Sequence, residues 1–341
     1  MSGLSLSEVT TLRLGGPCDD VMTASTQEEL IAAVVAADAD HLPLLVLSGG
    51  SNVVISDDGW PGRVVLVRTR GVECRDDVIE VAAGEPWSDF VTAMVGEGRS
   101  GVEALAGIPG AVGSTPIQNV GAYGQDVSAT VQSVRVWDRR LGEQAQLGAA
   151  ACEFGYRDSV FKRHPGRYVV LSVTFRLPIG AAAPIRYPEL ARRLELIDAP
   201  SSDATIAPAA VAAAVLDLRR AKGMVLDPSD HDTWSAGSFF TNPIIALEQV
   251  PDGAPQFPGP TPELRKTSAA WLIEHAGFGK GYRVRPGAPA GLSDKHTLAL
   301  TNRGSARTAD LLELARDVRA GVRRAFDIEL TPEPVLIGCA L

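Results

Sequence analysis

Ser48-Gly49-Gly50-Ser51-Asn52 lies between two apolar runs, Leu42–Leu47 and Val53–Ile55. Glycines let backbone N–H groups converge without side-chain obstruction, and such a nest takes phosphate oxygens. The same residues would serve equally well as a plain strand–loop–strand turn. The stretch from Gly107 to Gly124 is richer. Gly107, Gly110, Gly113, Gly121 and Gly124 allow close approach, Ser114 and Thr115 offer hydroxyls, and Gln118 and Asn119 offer amides. That set suits a flat heteroaromatic carrying a pyrophosphate. It follows neither GxGxxG after a strand nor GxxxxGK[ST], so Rossmann and P-loop readings fail.

Three further groups carry reactive types. Gly155-Tyr-Arg-Asp-Ser-Val-Phe-Lys162 gathers Arg157, Asp158 and Lys162 around two aromatics, and read alone it is a turn laced with salt bridges. Gly237-Ser-Phe-Phe-Thr-Asn-Pro243 sets Ser238 and Asn242 on a short stiff segment, with no nearby histidine to make a hydrolase nucleophile. Near the other end, Pro332 and Pro334 flank Glu333. The five histidines are scattered without HExxH, and the four cysteines form no CxxC, so no metal site is expected.

The elements that must position these residues follow from local patterns. Thr26-Gln-Glu-Glu29 is a capping box, and Leu30, Ile31, Val34 and Val35 continue it at helical spacing. Arg63–Val67, Val78–Ala82, Val131–Trp137 and Tyr168–Leu177 read as strands, and a helix begins near Pro86. Gly101–Gly124 is too rich in glycine and proline for a regular element and is expected as a long ordered loop, a kind that is usually functional. Helices are expected over Pro208–Ala221, Glu263–His275 and Thr308–Phe326, with a strand at Thr297–Thr301, and the chain closes with Ile328–Leu330 and Val335–Ile337 flanking Pro332-Glu333-Pro334. Gly277-Phe-Gly-Lys-Gly281 reads as a helix-ending loop. The pattern is α+β.

Charged residues make up 21% of the chain and hydrophobic ones 45%, with a net charge of −9. That balance is globular, and it disfavours nucleic-acid binding, which needs a basic face. The first residues lack the basic and apolar regions of a secretory signal, and apolar runs such as Leu42–Leu47 are too short to span a bilayer. A cytoplasmic protein without membrane association is expected, and a monomer, since no interaction motif stands out.

SGGSN, GIPGAVGSTPIQNVGAYGQ, GYRDSVFK, RRAKGMVLDP, AGSFFTNP and LTPEPVLIG occur in that order across almost the whole chain. Together they closely resemble the UDP-N-acetylenolpyruvoylglucosamine reductases, the MurB family. The resemblance implies an FAD-binding module of the vanillyl-alcohol-oxidase (PCMH) type over residues 1–180, in two subdomains split near 70. It implies an α+β substrate-binding domain over 181–330 and a segment 331–341 carrying Glu333. Ser48, Gly49, Gly50, Ser51 and Asn52 would hold the FAD pyrophosphate, and the Gly107–Gly124 loop would line the flavin. Neither stretch contains histidine, so the FAD is expected to be non-covalent.

The implied reaction is NADPH-dependent reduction of UDP-N-acetylglucosamine enolpyruvate to UDP-N-acetylmuramate, a step of peptidoglycan precursor synthesis. Hydride passes from flavin N5 to the terminal methylene carbon of the enolpyruvyl group. Negative charge then builds on the neighbouring carbon and its carboxylate, which Arg157 and a protonated Glu333 would stabilise. Ser238 would protonate the carbanionic carbon.

Lys222 and Asn242 would meet the diphosphate. Tyr187, in the segment Ile185-Arg-Tyr-Pro-Glu-Leu190, resembles the tyrosine loop of the family's first structural type, and Tyr123 and Tyr156 would line the same cleft. The chain departs from the pattern at Phe257, where a second substrate-gripping tyrosine is expected, and at His296, where a glutamine is expected. Pro334-Val335 also stands where some members carry an arginine soon after the glutamate. Two other readings stay open on sequence: a related flavin oxidoreductase acting on an alcohol or sugar, and a non-catalytic sugar-nucleotide-binding relative.

Overall fold

The structure is a computed structural model that describes residues 3–180, 185, 187–196 and 206–341. Its backbone divides into two compact units that interleave in sequence. One comprises Cys18–Gly49 and Pro61–Ala221, and the other Leu4–Pro17, Gly50–Trp60 and Lys222–Leu341.

In the first unit, three strands form a parallel sheet with Arg63–Val67 between Asp20–Ala24 and Leu44–Leu47. The expected capping box is present: the Glu29 N–H donates to Thr26 Oγ1 (3.1 Å), and the Thr26 N–H donates to Glu29 Oε2 (3.3 Å). It starts the helix Gln27–Ala39, which buries Leu30, Ala33, Val34 and Ala37. A second sheet is antiparallel, in the order Glu143–Gly148, Val131–Asp138, Tyr168–Arg176, Val78–Ala82, Val72–Arg75. Along Val78–Ala82 the alternate residues Ile79 and Val81 are fully buried, as strand periodicity requires. The helix Trp87–Gly96 packs Trp87 and Phe90 against Phe175, with ring centroids 6.1 Å and 5.3 Å apart.

The second unit holds the antiparallel sheet Ser235–Ser238, Ala299–Asn302, Ala290–Leu292. The helix Thr308–Phe326 buries Leu311, Leu314, Ala315, Val318 and Val322 along one stripe. Its first N–H groups, from Thr308 and Ala309, donate to the Asp57 carboxylate at 2.8 Å and 3.0 Å, which satisfies donors the helix itself leaves open. Val335–Ile337 pairs in parallel with Val53–Ile55. Among the described residues no helix is long and apolar enough to cross a membrane, and no group of histidine, cysteine and acidic residues is placed to hold a metal ion.

The α+β class holds, and one local expectation is corrected. Glu263–His275 is not one helix. Leu264–Thr267 is a strand between Ile244–Ala246 and Gln256–Pro258, and Ser268 then caps a shorter helix, Ala269–His275. Cross-strand pairing overrides the helical propensity of Leu264-Arg-Lys266. Ile328 and Leu330, just before Pro332, are buried in the core of the second unit.

Trp87 is wholly buried, and its Nε1–H donates to the Leu105 carbonyl at 3.1 Å. Trp87→Ala is therefore expected to destabilise the chain by about 3–5 kcal/mol, read as a lowered urea midpoint. A loss below about 1 kcal/mol would mean that this aromatic cluster does not carry the first unit's core.

Candidate active site

In the first unit, Ser48 and Gly49 lie just past the strand Leu44–Leu47, at the carboxyl edge of the parallel sheet. A Cβ on Gly49 would sit 2.4 Å from the Gly110 Cα, so two loops that the sequence suggests for one ligand press backbone against backbone. No side chain fits at this contact, so both positions call for glycine. The expected long loop is ordered, with 3-10 turns at Glu103–Leu105 and Val112–Ser114. Ser114 Oγ and Thr115 Oγ1 donate to the Ala111 and Val112 carbonyls at 2.7 Å and 2.8 Å. Their protons are thus committed inside the loop, and their backbone N–H groups likewise donate to the Ala111 and Val112 carbonyls, at 3.0 Å each. Gln118 is half-buried.

Asn119 joins this loop to the Arg157 turn. Its Nδ2 donates to the Gly155 carbonyl (2.9 Å), while its Oδ1 accepts from the Ser128 N–H (3.1 Å). Arg157 returns the link, with Nη1 donating to the Asn119 carbonyl (3.4 Å) and Nη2 to the Gly121 carbonyl (2.5 Å). In the turn Gly155–Lys162, read as laced with salt bridges, Asp158 pairs with Arg163, one residue past the segment. Lys162 instead donates to the Arg157 carbonyl at 2.9 Å.

Asn119, Tyr123 and Arg157 all adopt left-handed backbone, with φ of 47°, 49° and 53°. Tyrosine and arginine lose about 1–2 kcal/mol there, and such strain gathers at functional sites. The Arg157 guanidinium also lies 5.7 Å from the centre of the Tyr156 ring.

Tyr123 meets Tyr187 edge to face, with centroids 5.3 Å apart. Tyr187 precedes the helix Pro188–Arg193, and the adjoining Arg186 lies outside the described residues. Burial pushes the Tyr123 hydroxyl up to about 12, against a smaller opposing pull from Arg219. Arg219, on the helix Pro208–Ala221, is itself buried, which lowers its guanidinium to about 10 while Tyr123 partly offsets the shift. At neutral pH the pair is a neutral phenol beside a cation. Sequence reading chose Lys222 from the cluster Arg219-Arg-Ala-Lys222; only the helix face shows that Arg219 turns inward.

In the second unit, Ser238 ends the strand Ser235–Ser238. The next residue, Phe239, accepts a hydrogen bond from the Glu333 N–H (2.8 Å), and Thr241 N–H donates to the Thr331 carbonyl (3.0 Å). These bonds bring Ser238 and Glu333 onto adjoining backbones. Asn52 adds a third strand of contact, its Nδ2 donating to the Glu333 carbonyl (3.4 Å) and its own carbonyl accepting from the Val335 N–H (3.0 Å). Thr11 Oγ1 donates to the Ser235 carbonyl (2.7 Å), and the Thr11 N–H donates to the Gly50 carbonyl (3.0 Å). Thr11 also reaches Ser51, whose carbonyl lies 3.5 Å from the same hydroxyl.

Asn242 is partly engaged in the fold, since its Oδ1 accepts from the Ala269 N–H at 2.9 Å. Phe257 is exposed on the strand Gln256–Pro258, with Lys266 Nζ 5.8 Å from its ring centre. His296 is held in a tight turn, its N–H donating to Ser293 Oγ (3.1 Å) and its carbonyl accepting from the Ala299 N–H (3.0 Å). Lys222 is half-buried.

Residues 19–148 match a family model described as FAD binding domain, and residues 227–337 match one described as UDP-N-acetylenolpyruvoylglucosamine reductase, C-terminal domain. With the relatives below, these define an FAD-dependent oxidoreductase. Over 98% of its length the chain is 51% identical to the UDP-N-acetylenolpyruvoylglucosamine reductase of Cutibacterium acnes and 52% identical to that of Streptomyces coelicolor, covering 90% of each. A solved structure of the MurB reductase from Thermus caldophilus superposes with a TM-score of 0.68 at 26% identity, covering 98% of this chain and 97% of that one. The chain belongs to the UDP-N-acetylenolpyruvoylglucosamine reductase family.

Because the Gly49–Gly110 contact admits no Cβ, Gly49→Ala should force the loops apart and weaken cofactor retention. The flavin-to-protein absorbance ratio of the purified variant is expected to fall several-fold. A ratio equal to wild type would show that the contact does not shape the cofactor cradle.

Proposed function

We propose that this chain carries out the reaction of its family, the NADPH-dependent reduction of UDP-N-acetylglucosamine enolpyruvate to UDP-N-acetylmuramate. We place it in the cytoplasm as a monomer, with residues 1–180 holding FAD, 181–330 receiving the sugar nucleotide and 331–341 contributing Glu333. The observation that carries the chemical assignment is the hydrogen bond from the Glu333 N–H to the Phe239 carbonyl, which sets a carboxyl group beside the Ser238 segment. FAD, when bound, supplies hydride transfer from NADPH to the substrate's methylene carbon.

The residues of the chain handle the charge and the proton. Arg157 enters from a strained turn whose guanidinium is already aimed by two carbonyls, so little reorganisation is needed to meet a carboxylate. Glu333, between two prolines, serves in its protonated form as a second donor to the developing enolate. The Ser238 hydroxyl makes no hydrogen bond among the described residues, which leaves its proton available to the carbanionic carbon. A hydroxyl is a weak acid, yet a carbanion is basic enough to take its proton. Tyr123 and Tyr187 offer neutral hydroxyls and ring faces to the sugar nucleotide, with Tyr156, Lys222, Asn242, Phe257 and His296 completing its contacts.

The test separates the two half-reactions anaerobically. NADPH should bleach the flavin absorbance, and UDP-N-acetylglucosamine enolpyruvate should restore it. Ser238→Ala should bleach at nearly the wild-type rate and recover at least about 100-fold more slowly, in line with loss of a general acid. Recovery at the wild-type rate would remove Ser238 from the proton-transfer step, and bleaching without recovery in the wild type would move the substrate to another class.

A further inference from the structure

Arg68 was not among the residues that the sequence motifs brought forward. It follows the central strand of the parallel sheet, Arg63–Val67, and Ser48 follows the adjacent strand Leu44–Leu47. Leu47 is registered against Leu66, so both chains leave the sheet together at its carboxyl edge. Open sheets of parallel strands take their ligands at that edge.

The Arg68 Nη1 donates to the Ser48 carbonyl and to the Val67 carbonyl, each at 2.9 Å. Its neighbour Arg70 has a carboxylate, Glu85, at 3.3 Å. Arg68 pairs with no carboxylate among the described residues, and its Nε and Nη2 make no hydrogen bond there. Burial, reinforced by the like charge of Arg70, holds its guanidinium below the ordinary arginine range. A half-buried cation that is fixed by carbonyls alone is costly unless an anion arrives. Beside it lies the Ser48–Gly49 backbone, pressed onto Gly110 where no side chain fits.

We propose that Arg68 is the cation that receives the FAD diphosphate at the carboxyl edge of the parallel sheet. The proposal rests on the reading of Ser48 and Gly49 as part of the pyrophosphate cradle. Three charge-assisted N–H donors, one on Nε and two on Nη2, remain for phosphate oxygens while Nη1 stays bound to Ser48. The residue thereby does two things: it steadies the turn through a carbonyl, and it neutralises charge that backbone N–H groups meet only with partial charges.

The experiment strips flavin from the full-length chain and titrates FAD and riboflavin separately into wild type, Arg68→Gln and Arg68→Lys, following quenching of flavin fluorescence. Arg68→Gln should weaken FAD about 30-fold, the value of a charge-assisted hydrogen bond, and leave riboflavin within about two-fold. Arg68→Lys, which keeps the charge, should recover most of the FAD affinity. Raising the salt should weaken FAD binding by the wild type more than by Arg68→Gln. Equal loss for FAD and riboflavin would assign Arg68 to the fold alone, and no loss for either would remove it from the site. A wild type that binds FAD no better than riboflavin would overturn the reading of the cradle itself, and Arg68's role with it.

Discussion

The contact between the backbones of Gly49 and Gly110 constrains the rest of the first unit. Two loops from distant parts of the sequence touch where even a methyl group would collide. Such an approach requires each loop to be delivered by something rigid. On one side that is the carboxyl edge of a parallel sheet whose strands are fixed in register. On the other, the Trp87 N–H donates to the Gly110 carbonyl at 3.0 Å, and the Val112 N–H to the Glu85 carbonyl at 2.9 Å, tying the loop to the start of a buried helix. The left-handed conformations downstream, at Asn119 and Arg157, are then tied together by the side-chain bonds between Asn119 and the Arg157 turn rather than set by local preference.

Much of this was legible in the sequence because the decisive features were local. The capping box at Thr26 and Glu29, the alternation in Val78–Ala82 and the stripe in Thr308–Phe326 all depend on residues a few positions apart. So do the glycines that mark the cradle. The features that were not legible depend on partners far along the chain. Leu264–Thr267 is a strand only because Ile244–Ala246 and Gln256–Pro258 flank it. Asp158 turns to Arg163 because Arg157 is drawn to the Asn119 and Gly121 carbonyls. Short strands such as Ala290–Leu292 have too few residues to show any period.

The same distinction applies to the charged groups. Motifs drew notice to Lys222 and Arg157, yet burial is a property of faces and edges. Arg219 is turned into the core by its helix, and Arg68 is caught at the end of a strand. Neither position carries a sequence signature, since an arginine after an apolar strand or late in a helix is most often a solvated residue. What separates them is the surroundings: one faces a half-buried phenol and the other faces carbonyls.

The pairing of Val53–Ile55 with Val335–Ile337 has a consequence in time. The two strands are about 280 residues apart, and the larger segment of the first unit, Pro61–Ala221, lies between them in the sequence. At roughly 5–20 residues per second, a ribosome needs tens of seconds to supply the later strand after the earlier one has emerged. Val53–Ile55 must wait through that interval with its ladder groups unpaired, while the first unit, self-contained in its own sheets, can already fold. Order of synthesis thus makes the cofactor-binding half of the molecule the early one. The Glu333 segment, fixed by the last strand to form, docks after nearly everything else is in place.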